Sequence, residues 1–248
     1  MSADRGTTGV EPLPLDKAPS RIAGMFDAIA GKYDLLNTVL SAGLDRQWRR
    51  QAIASLQLTG RERVLDVCAG TADVSIGAAL ARPGSPRVVG VDFAGAMLAK
   101  GQEKIRAAGL PGCVQLVRGD AMSLPVVSAS VDCVTIAFGI RNVQGTAAAL
   151  TELYRVLRPG GRLAILEFGL PQAPGLRQLY QWYFLGVLPR IGQLVSKHGG
   201  AYSYLPQSVG AFPWGSDFAT LLTEAGFAEA RFRPLTLGVV YLYTARKA

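Results

Sequence analysis

Between residues 63 and 167, short apolar runs alternate with longer stretches in which apolar positions recur every three or four residues. The runs at 63–67, 88–92, 114–117, 131–137 and 162–167 are nearly continuous in valine, leucine and isoleucine. A strand that is apolar on both faces belongs in a parallel sheet covered by helices on each side. The stretches near 73–82, 95–108 and 146–157 have helical spacing, and "RPGG" at 158–161 predicts a stop and a turn into the fifth strand. Two further strands, near 228–233 and 237–246, follow a helix at 216–225 that ends at Gly226. With only Pro234 and its neighbours between them, they are expected as an antiparallel edge pair. The sum is an α/β fold: a doubly wound, mostly parallel, seven-stranded sheet.

The rhythm fails on either side of this block. Residues 1–19 are polar and rich in proline and glycine, which predicts a mobile tail ahead of one domain over 20–248. Ser20 is placed to cap a helix through "RIAGMFDAIAGKYD". A second helical pattern runs through "LLNTVLSAGLDRQWRRQAIASLQ", with Trp48, Ala52 and Leu56 on one face. Residues 20–58 therefore read as a helical cover. Residues 172–214 read as an inserted helical lid, with an aromatic run at 179–195 broken by Pro189.

Composition narrows the chemistry. The single histidine and three scattered cysteines of this 248-residue chain offer no ligand spacing for a metal, and an odd, dispersed set of thiols predicts a reducing, cytoplasmic setting. No apolar run reaches the roughly 20 residues of a membrane span, and no export signal is visible. The net charge of +8 attracts anionic partners. A basic stripe interleaved with aromatics is missing, so nucleic acid is not among the expected partners.

The candidate site lies in "VLDVCAGTAD" at 64–73. The first strand ends at Asp66, and small residues lead into a helix. In doubly wound sheets, ligands bind beyond the carboxyl ends of the strands. A dinucleotide pyrophosphate prefers G-x-G-x-x-G, whereas this loop has only Gly70 between Asp66 and Asp73. Acids suit a cationic cofactor. Asp92, followed by Phe93, ends the second strand, where a carboxylate accepts from ribose hydroxyls. Asp120 and Ala121 follow the third, placed to hold an adenine amine. Three acids after successive strands predict an S-adenosyl-L-methionine pocket.

The chain resembles the quinone-biosynthesis C-methyltransferases, the class I methyltransferases that act on demethylmenaquinol or a ubiquinol precursor. Over roughly 20–246 the similarity is carried by "YDLLNTVLSAGLDRQW" (33–48), "FGIRNV" (138–143), "RVLRPGGRLAILEFG" (155–169) and "AYSYLPQSVGAFP" (201–213). The resemblance implies cofactor contacts at Thr71, Asp92, Asp120 and Ala121, and at Ala137, where the family often has serine. Asp45 stands where the family usually has histidine.

The implied reaction methylates a ring carbon of a polyprenylated quinol, most readily demethylmenaquinol, with a ubiquinol precursor as the alternative and a non-catalytic scaffold as a third reading. Arg141 is expected to stabilise a phenolate and Asn142 to orient the ring. A water held by Arg141 or Asp34 is expected to carry the proton, and Tyr33, Asn37 and Tyr202 to line the acceptor pocket. A polyprenyl tail makes peripheral contact with the inner face of the membrane useful, through 179–195 and Arg46, Arg49 and Arg50. The lid could equally cover a second subunit in a homodimer.

Overall fold

A computed structural model describes residues 16–82, 84, 86–182, 186 and 200–248. Seven strands form one sheet: β1 (Arg63–Val67), β2 (Arg87–Asp92), β3 (Val114–Arg118), β4 (Val131–Ala137), β5 (Leu157–Phe168), β6 (Ala228–Leu235) and β7 (Val240–Arg246). Their order is β3-β2-β1-β4-β5-β7-β6. The first five are parallel, and β7 runs antiparallel between β5 and β6. The chain reverses direction across the sheet between β1 and β4, so the tips of β1, β2 and β4 meet at the switch point where such folds bind ligands.

Helices cover both faces, as the two-sided apolar strands require. The helices α1 (Pro19–Ile29), α2 (Tyr33–Leu40), α3 (Leu44–Ser55), α4 (Asp73–Ala79), α5 (Gly95–Ala107) and α6 (Thr146–Val156) follow in chain order. After them come α7 (Pro174–Trp182), α8 (Gly200–Ala211) and α9 (Ser216–Glu224). One core packs Leu150 and Leu153 of α6 and Phe218 and Leu222 of α9 against Leu65, Val134 and Ile165. The other packs Trp48 and Ala52 of α3 and Ile105 of α5 against Val64, Val88 and Cys133. Each fully buried aliphatic side chain contributes about 1.5–3 kcal/mol.

Three local expectations are corrected. The first helix begins at Pro19, and Ser20 makes no side-chain cap, because proline itself suits the first helical turn. The second helical pattern breaks in two at Gly43, whose φ of 79° ends α2 and starts α3 at an angle. The "RPGG" segment does not precede β5 but bulges within it: Val131 pairs with Leu157 and Cys133 with Arg162. Lys247 closes the bulge, its amide donating to the Gly161 carbonyl and its carbonyl accepting from Gly160. Much of the lid, including Tyr183, Phe184, Pro189 and His198, lies outside the described residues.

One acid anchors the start of the sheet. Glu62, 7% exposed, accepts from the amides of Thr59, Gly60 and Arg61 and from the Thr59 hydroxyl. Burial pushes its carboxyl up, but these donors outweigh burial and bring it down to about 2. A folded pKa below the unfolded value gives stability that is present above about 4.5 and lost as pH falls toward 2, on the order of 3 kcal/mol. Denaturant titrations of the wild type and Glu62→Gln across that window should converge at the acid end. A constant gap would show that the donors do not discriminate the charged form.

Candidate active site

The loop after β1 has to turn from strand to helix within a few residues. It does so with Cys68, Gly70 and Ala72 all at positive φ (56°, 54° and 65°). The Ala69 amide donates to the Val91 carbonyl (3.1 Å) and the Gly70 amide to Asp92 Oδ2 (2.8 Å), so the loop is pinned to the tip of β2. The loop after β4 presses against it from the other side. A Cβ on Gly139 would lie 2.3 Å from the Cβ of Cys68, so only glycine fits there.

Two cavities open beside these tips. The first is lined by Gly70, Asp92, Phe93, Asp120, Ala121 and Ala137, the residues read as cofactor-binding, with Asn142 beside them. Asp92 is held rigidly, since Oδ1 accepts from the Ala94 amide (2.9 Å) while Oδ2 holds Gly70. Burial raises its pKa, and the backbone donors oppose that rise. Asp120 closes a turn by accepting from the Met122 amide (2.9 Å) and still lines the cavity. Asn142 Oδ1 is buried without a hydrogen-bond partner. Anchored carboxylates, an orphan acceptor and apolar walls from Ile22, Phe26 and Met97 fit a cationic nucleoside such as S-adenosyl-L-methionine.

The second cavity, of about 410 Å³, is mostly apolar and lies under α1, α2 and α3. Tyr33, Asn37 and Arg141 line it. Phe26, Tyr33 and Phe138 line both cavities and so mark where they meet. Burial pushes the Tyr33 phenol pKa up, and its hydrogen bond with Asn37 opposes this. Arg141, 6% exposed, donates through Nη1 to Glu167 Oε1 (2.7 Å) and to the Phe138 carbonyl (2.5 Å), and its guanidinium lies 5.3 Å from the Phe168 ring centre.

Three sequence-read residues lie elsewhere. Asp66 is buried beneath the loop, where Oδ2 accepts from Ser75 Oγ (2.6 Å). Burial raises its pKa to about 7 against the pull of Ser75. It holds the start of α4 and does not line the cofactor cavity. The Thr71 hydroxyl donates to Asp34 Oδ1 (2.6 Å), and both bond Lys104 Nζ. Their side chains are thus spent on a network that ties α2 to α5. Asp34 faces the outer cleft instead of either cavity, so it is not placed to carry a substrate proton. The Tyr202 side chain lies outside the described residues. Its near neighbour Tyr204 lines the second cavity with its hydroxyl buried and unpartnered.

Sequence reasoning missed Lys17, which lines the first cavity and whose pKa is lowered by burial and then by Arg141. It also missed Phe138 and Glu167. Lys17 sat in a segment read as tail, and only tertiary packing reveals it. Glu167 stood in plain view at the end of the fifth apolar run, an acid at a strand tip like Asp92.

Comparison with known proteins bears on the family and the fold. The model of the ubiE/COQ5 methyltransferase family matches residues 15–247. A ubiquinone/menaquinone biosynthesis C-methyltransferase UbiE of Geotalea daltonii is 43% identical over 233 residues, covering 94% of this chain and 99% of the relative. A demethylmenaquinone methyltransferase of Bacteroides fragilis is 40% identical over 239 residues, covering 96% and 97%. Among solved structures, a SAM-dependent methyltransferase of Thermotoga maritima superposes with a TM-score of 0.62 at 17% identity, covering 92% of this chain and 100% of that one. That likeness bears on the fold.

Proposed function

The chain belongs to the ubiE/COQ5 methyltransferase family, and from that premise we propose that it transfers a methyl group from S-adenosyl-L-methionine to a ring carbon of a polyprenylated quinol, demethylmenaquinol in particular. The observation that carries the reading is the meeting of two unlike cavities at Phe26, Tyr33 and Phe138. One is lined with acids, and the other is mostly apolar with Asp45, Arg49 and Arg141 in its wall.

When bound, S-adenosyl-L-methionine supplies an electrophilic methyl on a sulfonium. Asp92 accepts from the ribose hydroxyls, and Asp120 with Ala121 holds the base. Arg141 stays protonated and stabilises negative charge on a ring oxygen of the acceptor, which makes the neighbouring ring carbon nucleophilic. Its guanidinium is fixed by Glu167 and the Phe138 carbonyl before the acceptor arrives, so little reorganisation is needed. Asn142, expected from the sequence to orient the ring, lines the first cavity and not the second, so its role is on the cofactor side.

The tail leaves along α2, past Leu36, Val39 and Leu40. Leu35 and Val39 are exposed on that helix, at 59% and 52%. Arg46 and Arg50 are exposed on α3, and such cations beside exposed apolar side chains suit an anionic membrane surface, whereas Arg49, also expected there, is engaged by Asp45 and Asp73 instead. No described helix is long and apolar enough to cross a bilayer.

Purified protein with the methyl donor and a short-tailed demethylmenaquinol, kept reduced, should give one C-methylated product by mass spectrometry. Methylation of a benzoquinol alone would move the assignment to ubiquinone precursors. Donor binding with neither product formed would leave a scaffold.

A further inference from the structure

Asp45 is the only carboxylate among the described residues that line the acceptor cavity; the other charged groups there are Arg49 and Arg141. Its side chain is 7% exposed and forms an ion pair with Arg49 one turn along α3. Ser41 Oγ, at the end of α2, donates to its Oδ1 (3.0 Å). Arg49 also faces Asp73 of α4 (3.6 Å). Asp73 in turn binds Lys104 of α5 (2.5 Å), which binds Asp34 of α2 (2.7 Å). This chain of ion pairs holds three carboxylates against two cations. On its outer side Asp45 also reaches the cleft that the exposed Arg46 and Arg50 border. Its Oδ1 accepts from Ser41 and its Oδ2 from Arg49, and each carboxylate oxygen can accept a second hydrogen bond. Across the cavity stand Tyr33 and the Arg141–Glu167 pair, in which Arg141 has its own carboxylate.

A carboxylate accepts hydrogen bonds and cannot donate them while ionised. A quinol ring presents hydroxyl donors, whereas the oxidised quinone presents only carbonyl acceptors. Resting on the quinol reading above, we propose that Asp45 is a catalytic residue: it accepts the hydrogen bond of one acceptor hydroxyl, thereby selects the reduced ring, and takes that proton as methyl transfer proceeds. The hydroxyl proton passes to the carboxylate while a ring carbon bonds the methyl. The methyl–sulfur bond breaks with its electron pair left on sulfur. Loss of the proton from the methylated ring carbon, with reprotonation of the ring oxygen by Asp45, restores the aromatic quinol. One proton is released overall, and no oxidant or reductant is consumed.

The test uses the full chain and a short-tailed demethylmenaquinone in both redox states, with binding followed by the fluorescence of Trp48 in the cavity wall. The wild type should bind the quinol at least tenfold more tightly than the quinone. Asp45→Asn, whose amide can donate to a carbonyl, should bring that ratio close to one. It should also lower kcat at least thirtyfold, with affinity for the methyl donor unchanged. An unchanged redox preference, or a kcat within threefold of wild type, overturns the proposal. Should Asp45→Asn unfold, Asp45→His decides. Imidazole, with an ordinary pKa of about 6.5, protonates at higher pH than a carboxylate, so the acidic limb of the kcat profile should move up by more than one pH unit. A limb that stays in place overturns the assignment. Wild-type protein that methylates no quinol would instead refute the functional reading, and the two failures are distinct.

Discussion

Replacing Arg141 by alanine should abolish turnover by more than a hundredfold and destabilise the fold by about 3 kcal/mol. The two losses have different origins. Glu167 is fully buried, and its oxygens accept from Arg141 Nη1 (2.7 Å), the Phe168 amide (2.9 Å) and the Arg141 amide (3.3 Å). Without the guanidinium, that carboxylate keeps only backbone donors and must remain charged without a cation or take up a proton. Both are costly in a dry interior. The double variant Arg141→Met with Glu167→Leu removes both charges and should regain most of the stability, because a buried ion pair is often replaceable by apolar groups of similar size. Its turnover should stay as low as that of Arg141→Ala, since nothing then stabilises the acceptor oxygen. Arg141→Lys should fall between, because one ammonium can replace the Nη1 bonds to Glu167 and the Phe138 carbonyl but not the additional Nε bond to Ser208 Oγ that fixes the guanidinium plane. Thermal unfolding and kcat on the same preparations separate the effects. Recovery of turnover in the double variant would reduce Arg141 to a packing role.

The contrast between Asp92 and Asp34 shows what could be read before folding. Asp92 was legible because its meaning is local: an acid at the end of an apolar strand in a doubly wound pattern has one place to be, the carboxyl edge of the sheet. Asp120 followed by the same logic. Asp34 lies in a helix whose burial is decided by what packs on it, and Lys104, seventy residues on, claimed it. Asp66 also ends an apolar run. There the strand tip and α4 leave room for Ser75, so the carboxylate turned under the loop instead of toward the ligand. The pairing of Glu167 with Arg141 depends on the register of β4 and β5, in which Ala137 sits opposite Leu166 and the Phe138 amide meets the Leu166 carbonyl (2.7 Å). Periodicity says that two strands exist, and it does not say which residues end up side by side. Lys17 and Tyr204 were hidden for a related reason. Each reaches a cavity from outside the strand–helix repeat, where hydrophobic spacing carries no information about docking.

Asp92→Asn should weaken binding of the methyl donor at least a hundredfold, nearly as much as Asp92→Ala. The argument rests on donors, not on charge alone. Both oxygens of Asp92 already face backbone N–H groups, Gly70 at 2.8 Å and Ala94 at 2.9 Å. An asparagine has one oxygen and one NH₂, so in either flip state a donor points at a donor. If the NH₂ faces Gly70, the pin between the β1 loop and β2 is lost, and Cys68 and Ala72 have less to hold them at positive φ. If it faces Ala94, the start of α5 loses its cap-like bond, and the cavity keeps one acceptor where two were available. A hydrogen bond to a charged acceptor contributes about 1.5–3 kcal/mol, so losing one anchored bond and one ligand bond accounts for a factor of a hundred or more. Calorimetry with S-adenosyl-L-methionine at neutral pH reads this directly, and Asp92→Glu serves as a control for charge without placement. Affinity of Asp92→Asn within fivefold of wild type would mean that the carboxylate neither organises the loop nor meets the ribose, and the cofactor would have to be placed elsewhere along the sheet.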